Sequence, residues 1–146
     1  MMVQHDQRGN YQHTIDCICK SLVASLRESN LGQREYARLA VQTPAVLVRN
    51  NVSDSGHITG YETVCKVWIT DISQSGIGML LEKTIEADRL YWVDVSSLAP
   101  RTGCECSTLL PFKSLYLMRL LPETFRTGGP FVTDAVKLNR MVRGIV

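Results

Sequence analysis

The sequence predicts an all-β fold, a small antiparallel barrel with one helix at each end. Three observations carry that expectation. Five or six short runs with strand-like alternation or β-branched composition lie between residues 44 and 121. No helical segment separates them, so the βαβ alternation of a parallel sheet is missing. Two stretches with three- and four-residue apolar spacing, 14–30 and 133–145, bracket the strands. At 146 residues the chain is long enough for one domain with a sizeable core. It divides into a polar tail and amphipathic helix at 1–31, a barrel domain at 32–130 and a C-terminal helix at 131–146.

Taken in order, residues 1–12 are polar and are expected to fray. From Thr14 to Asn30 the residues Ile15, Ile18, Cys19, Leu22, Val23 and Leu26 form an apolar stripe. Thr14 is placed to cap this helix, Asp16 suits its first turn, and Gly32 stands where a helix stop is expected. The stripe needs cover, either from its own domain or from a second copy. Gln33 to Gln42 is a polar linker, and Pro44 opens a short strand at Ala45–Arg49. Asn50–Gly60 reads as a turn region and Tyr61–Thr70 as the longest strand. Apolar residues on both faces of that strand place one face in the core and Trp68 under an arm or against a ligand. Ile77–Leu81 and Leu90–Val95 follow as strands, Ser96–Gly103 as a loop, and Thr108–Leu121 as one or two strands. Pro122–Pro130, with Gly128 and Gly129, reads as a loop. In the tail, Val136 or Leu138 with Met141, Val142 and Ile145 make a second helical stripe. Asp134 lies at its start, and Arg140 and Arg143 lie near its end.

Two short motifs carry the chemistry. Asp71-Ile72-Ser73-Gln74-Ser75-Gly76 joins the second and third predicted strands. Asp71 and Ser73 are two apart, so in extended chain they share a side. A carboxylate accepts hydrogen bonds and a hydroxyl donates or accepts, so the pair can hold a group with adjacent N–H donors such as the N1/N2 edge of guanine. Asp, Ser and Gly are equally the ordinary residues of a polar turn. Upstream, Arg34-Glu35-Tyr36-Ala37-Arg38 sets two arginines four apart, on one side in helix or strand. Their planar forks bond phosphate oxygens, or guanine O6 and N7, in bidentate fashion. As a lone feature such a pair is ordinary solvated surface.

Together and in this order, the motifs resemble those of the PilZ domain, a bacterial receptor module for cyclic di-GMP. The resemblance covers about residues 32 to 95. It implies a six-stranded antiparallel barrel and a dianionic ligand made of two guanines and two phosphates. On the matching positions it implies that Arg34 and Arg38 bind phosphate and guanine, Asp71 accepts from the guanine N–H edge, Ser73 adds a bond and Gly76 leaves room for the purine. Gln33 stands where family members differ in taking one ligand molecule or a stacked pair; without an arginine there the chain resembles a one-molecule binder. Tyr36 can stack on a base or pack down to hold the loop. Arg119 is a further candidate contact from a neighbouring strand. The resemblance weakens in the C-terminal third, where ligand contacts stay unassigned. It implies a cytoplasmic effector with no cofactor beyond its ligand and no enzymatic activity. Its protein partner would act in motility, biofilm formation or secretion, and either helix could pair two copies. A PilZ-like adaptor that binds a partner without nucleotide is the alternative.

Composition weighs against other classes. Hydrophobic residues make up 45% and charged residues 21%, an ordinary globular balance. A net charge of +2 calls for neither a nucleic-acid polymer nor a membrane surface. With aromatics at 7%, a single-stranded nucleic-acid barrel is disfavoured. No apolar run approaches the length of about 18 residues that spans a bilayer, and Met1–Asn10 lacks a signal peptide's apolar core. Nothing fixes the separation of Asp71 from Glu62 or Asp94 as a catalytic carboxylate pair. The five cysteines are odd in number, and the Cys17/Cys19 and Cys104/Cys106 spacings are not those of a zinc or redox motif. His5, His13 and His57 are scattered, so reduced thiols are expected rather than a metal.

Overall fold

The computed structural model describes residues 3–25, 39–98 and 108–144, with side chains for residues 11–23 of the first of these segments. Among the described residues there are two helices and seven strands: α1 (Val3–Ser25), β1 (Leu39–Val52), β2 (Ile58–Ile72), β3 (Gly76–Leu81), β4 (Arg89–Asp94), β5 (Leu109–Ser114), β6 (Tyr116–Leu121), β7 (Thr124–Pro130) and α2 (Ala135–Val142). The strands form one antiparallel sheet in the order β5-β4-β1-β2-β3-β7-β6. The antiparallel β class with a helix at each end is therefore as expected.

The closed, six-stranded barrel is not. The sheet has seven strands and stays open, with β5 and β6 as its edges. The additional strand is β7, in the segment read as a loop on account of Gly128 and Gly129. Those glycines are there for packing. A Cβ on Gly129 would lie 1.7 Å from the Lys113 carbonyl oxygen, and one on Gly128 would lie 2.8 Å from that of Ile77. Backbones of β5, β3 and β7 crowd together here, and only residues without side chains fit. Strand β6 pairs with the outer edge of β7 from Thr124 to Gly128. Only the end of β7 is left for β5, which meets it in a single bridge, Phe112 to Phe131, and one bond from Val132 N–H to the Pro111 carbonyl at 2.9 Å.

Strands β1 and β2 are longer than their sequence patterns, because they run together as one ribbon from Leu39/Ile72 to Val52/Ile58. The turn is confined to Ser53–His57, where the Ser53 carbonyl accepts from Gly56 N–H at 2.9 Å. Gly56 has φ of 85°, a left-handed conformation that glycine adopts freely.

The core is continuous across sheet and helices. Trp92, Phe112, Ile15, Ile18, Leu47, Ile69, Ile72, Met79 and Leu110 are fully buried. Ile15, Ile18 and Cys19 of α1 are buried within the chain's own core, whereas Val23 of the same stripe is exposed and Leu26 lies outside the described residues. The Tyr11 ring meets Trp92 edge-on with centroids 5.9 Å apart, and the Trp92 indole N–H donates to Asn50 Oδ1 at 2.9 Å. The helix starts at Val3, inside the segment expected to fray, and Thr14 is a buried residue within it rather than its cap. Asp134 stands at the start of α2 as expected, and it also caps the helix: its carboxylate accepts from Val136 N–H at 2.8 Å and Lys137 N–H at 3.0 Å. Leu138 is its buried residue, while Val136 is exposed. Cys65, expected in the core, is only half-buried, and Trp68 is 41% exposed. Among the described residues no helix is long and apolar enough to cross a membrane.

Candidate functional site at the end of strand β2

Strand β2 alternates Val67 and Ile69 inward against Trp68 outward. By that alternation Asp71 would follow Ile69 into the core, where an ionised carboxylate is costly. A register shift between Ile69 and Asp71 prevents it. Past this bulge Asp71 pairs with Gly78, whereas Trp68 pairs with Leu80. Gly78 and Leu80 alternate with the buried Ile77, Met79 and Leu81, so both belong to the outer face of β3. The bulge thus turns the Asp71 carboxylate onto the outer face, the usual service of a bulge beside a site.

Two outward rows meet there. One runs Trp68, Leu80, Arg126, Met118 across β2, β3, β7 and β6; the next runs Asp71, Gly78, Gly128, Tyr116. Arg126 Nη2 stands 3.4 Å from Asp71 Oδ2, and the Thr70 hydroxyl donates to the same oxygen at 3.3 Å. The Asp71 carboxylate lies over Gly78, both oxygens 3.0 Å from where a Cβ would be, and the Tyr116 hydroxyl lies 3.2 Å from the corresponding point on Gly128. Two paired glycines therefore form a floor, with a carboxylate, a guanidinium and a phenol gathered above it. The site offers an acceptor, a cation and an aromatic hydroxyl on one face. Among the described residues no cluster of three His, Cys, Asp or Glu side chains suits a metal.

The expected site residues fall into three groups. Asp71 is on the open face as described. Ser73 is buried, and its hydroxyl is committed to the β2–β3 turn, accepting from Ser75 N–H at 3.3 Å and Gly76 N–H at 3.2 Å. Asp71 and Ser73 thus do not share a side, because β2 ends at Ile72 and the chain turns between them. Gly76 lacks room for a Cβ because the Gly129 carbonyl would be 2.8 Å from it. Gln33, Arg34, Tyr36 and Arg38 lie outside the described residues. Their attachment point is described: Leu39, bonded to Arg38, pairs with Ile72, and Ala40 pairs with Asp71. Arg119 is exposed, donates to the Pro122 carbonyl at 3.0 Å and sits in neither outward row. Arg126, Tyr116, Gly78 and Gly128 were not anticipated as site residues, because their placement depends on the pairing of β7, a strand that the glycines concealed.

The turn of this site also touches α1. Gln12 Nε2 donates to the Gln74 carbonyl at 3.3 Å and to Asp16 Oδ1 at 2.9 Å. Elsewhere, a groove of about 890 Å³ separates α2 from β4. Its lining includes two ion pairs, Arg89 with Glu86 at 2.8 Å and Lys113 with Asp88 at 4.0 Å.

No protein-family model and no curated protein sequence matches the chain. Similar solved structures exist. The chain is 14% identical to YcgR from Escherichia coli in complex with c-di-GMP, over 77% of this chain and 43% of that one, with a TM-score of 0.40. It is 17% identical to the PilZ domain of YcgR with c-di-GMP, over 77% of this chain and 88% of that one, with a TM-score of 0.43. It is 9% identical to the Bacillus subtilis inhibitor of motility MotI/DgrA, over 78% of this chain and 49% of that one, with a TM-score of 0.40. The chain spans less than half the length of the YcgR and MotI/DgrA chains that it matches. The likeness to each of the three extends over 77–78% of this chain.

Proposed function

We propose that this chain is a cyclic di-GMP receptor that acts by conformational change rather than by catalysis. The observation that carries this reading is the outward Asp71, paired with Arg126 above Gly78 and Gly128, on the strand that begins its pairing with Leu39. Leu39, which follows Arg38 in the sequence, pairs with Ile72, between Asp71 and Ser73. In this reading Arg34 and Arg38 supply charge and guanine recognition to the ligand. Asp71 accepts from the guanine N–H edge, and Arg126 holds the carboxylate in place. Ser73 acts by fixing the turn, and Gly76 by letting β3 approach β7. Gln33 marks a site for one ligand molecule, and Tyr36 packs on it or on the loop.

The output would run through α1. The arginine segment joins α1 to β1, and Gln12 of α1 holds the Gln74 carbonyl within the Asp-Ser-Gly turn. A ligand bridging the arginines and Asp71 orders both ends of that connection and changes the surface that a protein partner reads.

Calorimetric titration with cyclic di-GMP tests the reading, with GTP as control. Charge-assisted bonds contribute about 1.5–3 kcal/mol each, so loss of one arginine is expected to weaken binding at least about tenfold. The Arg34→Ala/Arg38→Ala protein should bind no ligand in the range where the wild type saturates. A folded wild type that binds nothing overturns the receptor reading. It would favour the nucleotide-independent adaptor, for which the exposed Leu115, Met118, Leu120 and Leu121 on and beside edge strand β6 are the supporting observation.

A further inference from the structure

Trp68 has no role in the site as drawn so far, yet it stands in the same outward row as Arg126. The sequence has two tryptophans, and they are treated in opposite ways. Trp92 is 1% exposed and hydrogen-bonded within the core, whereas Trp68 is 41% exposed on the face that carries Asp71. Leu80 lies between Trp68 and Arg126, paired with both, and is only half-buried. Strands in a sheet are about 4.8 Å apart, so the two walls stand on strands about 9.6 Å apart. A flat ring kept about 3.5 Å from a wall on each side needs about 7 Å. The lean of two long side chains readily closes the difference. Along β3 the next outward position is Gly78, with the Asp71 carboxylate over it. A ring seated on Leu80 therefore has its edge directed at that carboxylate.

We propose that Trp68 and Arg126 wall a stacking slot over Leu80 that takes the face of a purine whose edge is read by Asp71. The inference rests on the nucleotide reading above and adds to it the group that grips the base by its plane. An indole on one side and a guanidinium on the other is a chemically suited pair, since bases stack on aromatic rings and on arginine planes alike. It also gives a reason for a large aromatic side chain to stand in solvent at this position.

The test uses the full chain, cyclic di-GMP and the variants Trp68→Phe and Trp68→Ala, with affinity read by calorimetry and tryptophan emission read in parallel. Trp68 is exposed, so both variants should fold, which circular dichroism checks. Stacking of a base on an aromatic side chain contributes enough that alanine is expected to weaken binding about tenfold. Phenylalanine is expected to hold affinity within about threefold of wild type, since it keeps an aromatic face. Ligand should quench wild-type emission, and the quenching should vanish in Trp68→Phe, which retains Trp92 alone. Wild-type binding with no quenching, or with an unchanged affinity in Trp68→Ala, overturns the slot and leaves the receptor reading standing. Trp68→Phe binding as weakly as Trp68→Ala also overturns it. A wild type that binds no cyclic di-GMP overturns both.

Discussion

At the scale of single residues, the site depends on atoms that are missing. Gly129 faces the Lys113 carbonyl so closely that a Cβ would stand 1.7 Å from its oxygen, a contact between two backbones that no rotamer can relieve. Gly129→Ala is therefore expected to destabilise the fold by at least about 3 kcal/mol, the upper end of ordinary overpacking. Gly60→Ala is the control: nothing lies within 4 Å of its would-be Cβ. That change should be neutral or stabilising by up to about 1 kcal/mol through the unfolded chain. Urea unfolding of both variants decides the matter, and a wild-type midpoint for Gly129→Ala would refute the close approach. The same residues show where sequence reading stops. Asp71 was legible as a candidate, because the Asp-x-Ser-x-x-Gly junction sets a carboxylate at a strand end, although the same residues also make an ordinary polar turn. Its direction was not. Period-two alternation sets Asp71 and Ser73 on one side, while a bulge sends one to the outer face and a turn takes the other. Bulges follow from cross-strand register, which alternation within one strand does not encode.

At the scale of elements, a pattern was legible where it was periodic and was lost where packing overrode it. Strands β3 and β4 and the start of α2 were read almost to the residue, and β7 was missed because paired glycines mean a turn in most chains. Helix α1 was found through its apolar stripe, but its start was not, since the polar Val3–His13 segment continues the helix without contributing to that stripe. Burial under this helix has a measurable consequence at Cys19. Its removal from water, reinforced by the nearby Asp16 charge, pushes the thiol up from 9.0 to about 11. A value raised in the folded state favours the native protein while the thiol is protonated, and the benefit fades once the unfolded thiol begins to ionise. Stability should thus hold below pH 9 and decline as pH rises from 9 to about 11. Cys65 is shifted in the same direction by burial, with Lys83 opposing, and adds to the decline. Urea unfolding under reducing conditions across this window is expected to show a flatter profile for Cys19→Ala than for the wild type. Parallel profiles would mean that the thiol of the folded protein is unshifted.

At the scale of the molecule, the open sheet and the helix packed on it set how a bound ligand is felt. The sheet is continuous from β5 to β6, and the site lies on its outer face where β2, β3, β7 and β6 run side by side. The arginine segment lies in sequence between α1 and β1, and α1 reaches the Asp71–Gly76 turn through Gln12 and the Gln74 carbonyl. The connection is thus a closed loop of chain and hydrogen bond. In the proposed reading, a ligand held between the arginines and Asp71 would act on α1, whose Ile15 and Ile18 are embedded in the core. Core packing is poorly deformable, so α1 either stays and gains protection or shifts as a unit. Both outcomes alter amide exchange over the same stretch. Saturating cyclic di-GMP is therefore expected to change hydrogen exchange across residues 14–42 and at the Asp71–Gly76 turn, with little change in β4 and β5 on the other side of the sheet. If calorimetry shows binding while exchange over 14–42 is unchanged, the ligand is held without being relayed to α1. The edge and outer face of β6 would then be the place to seek the partner's response.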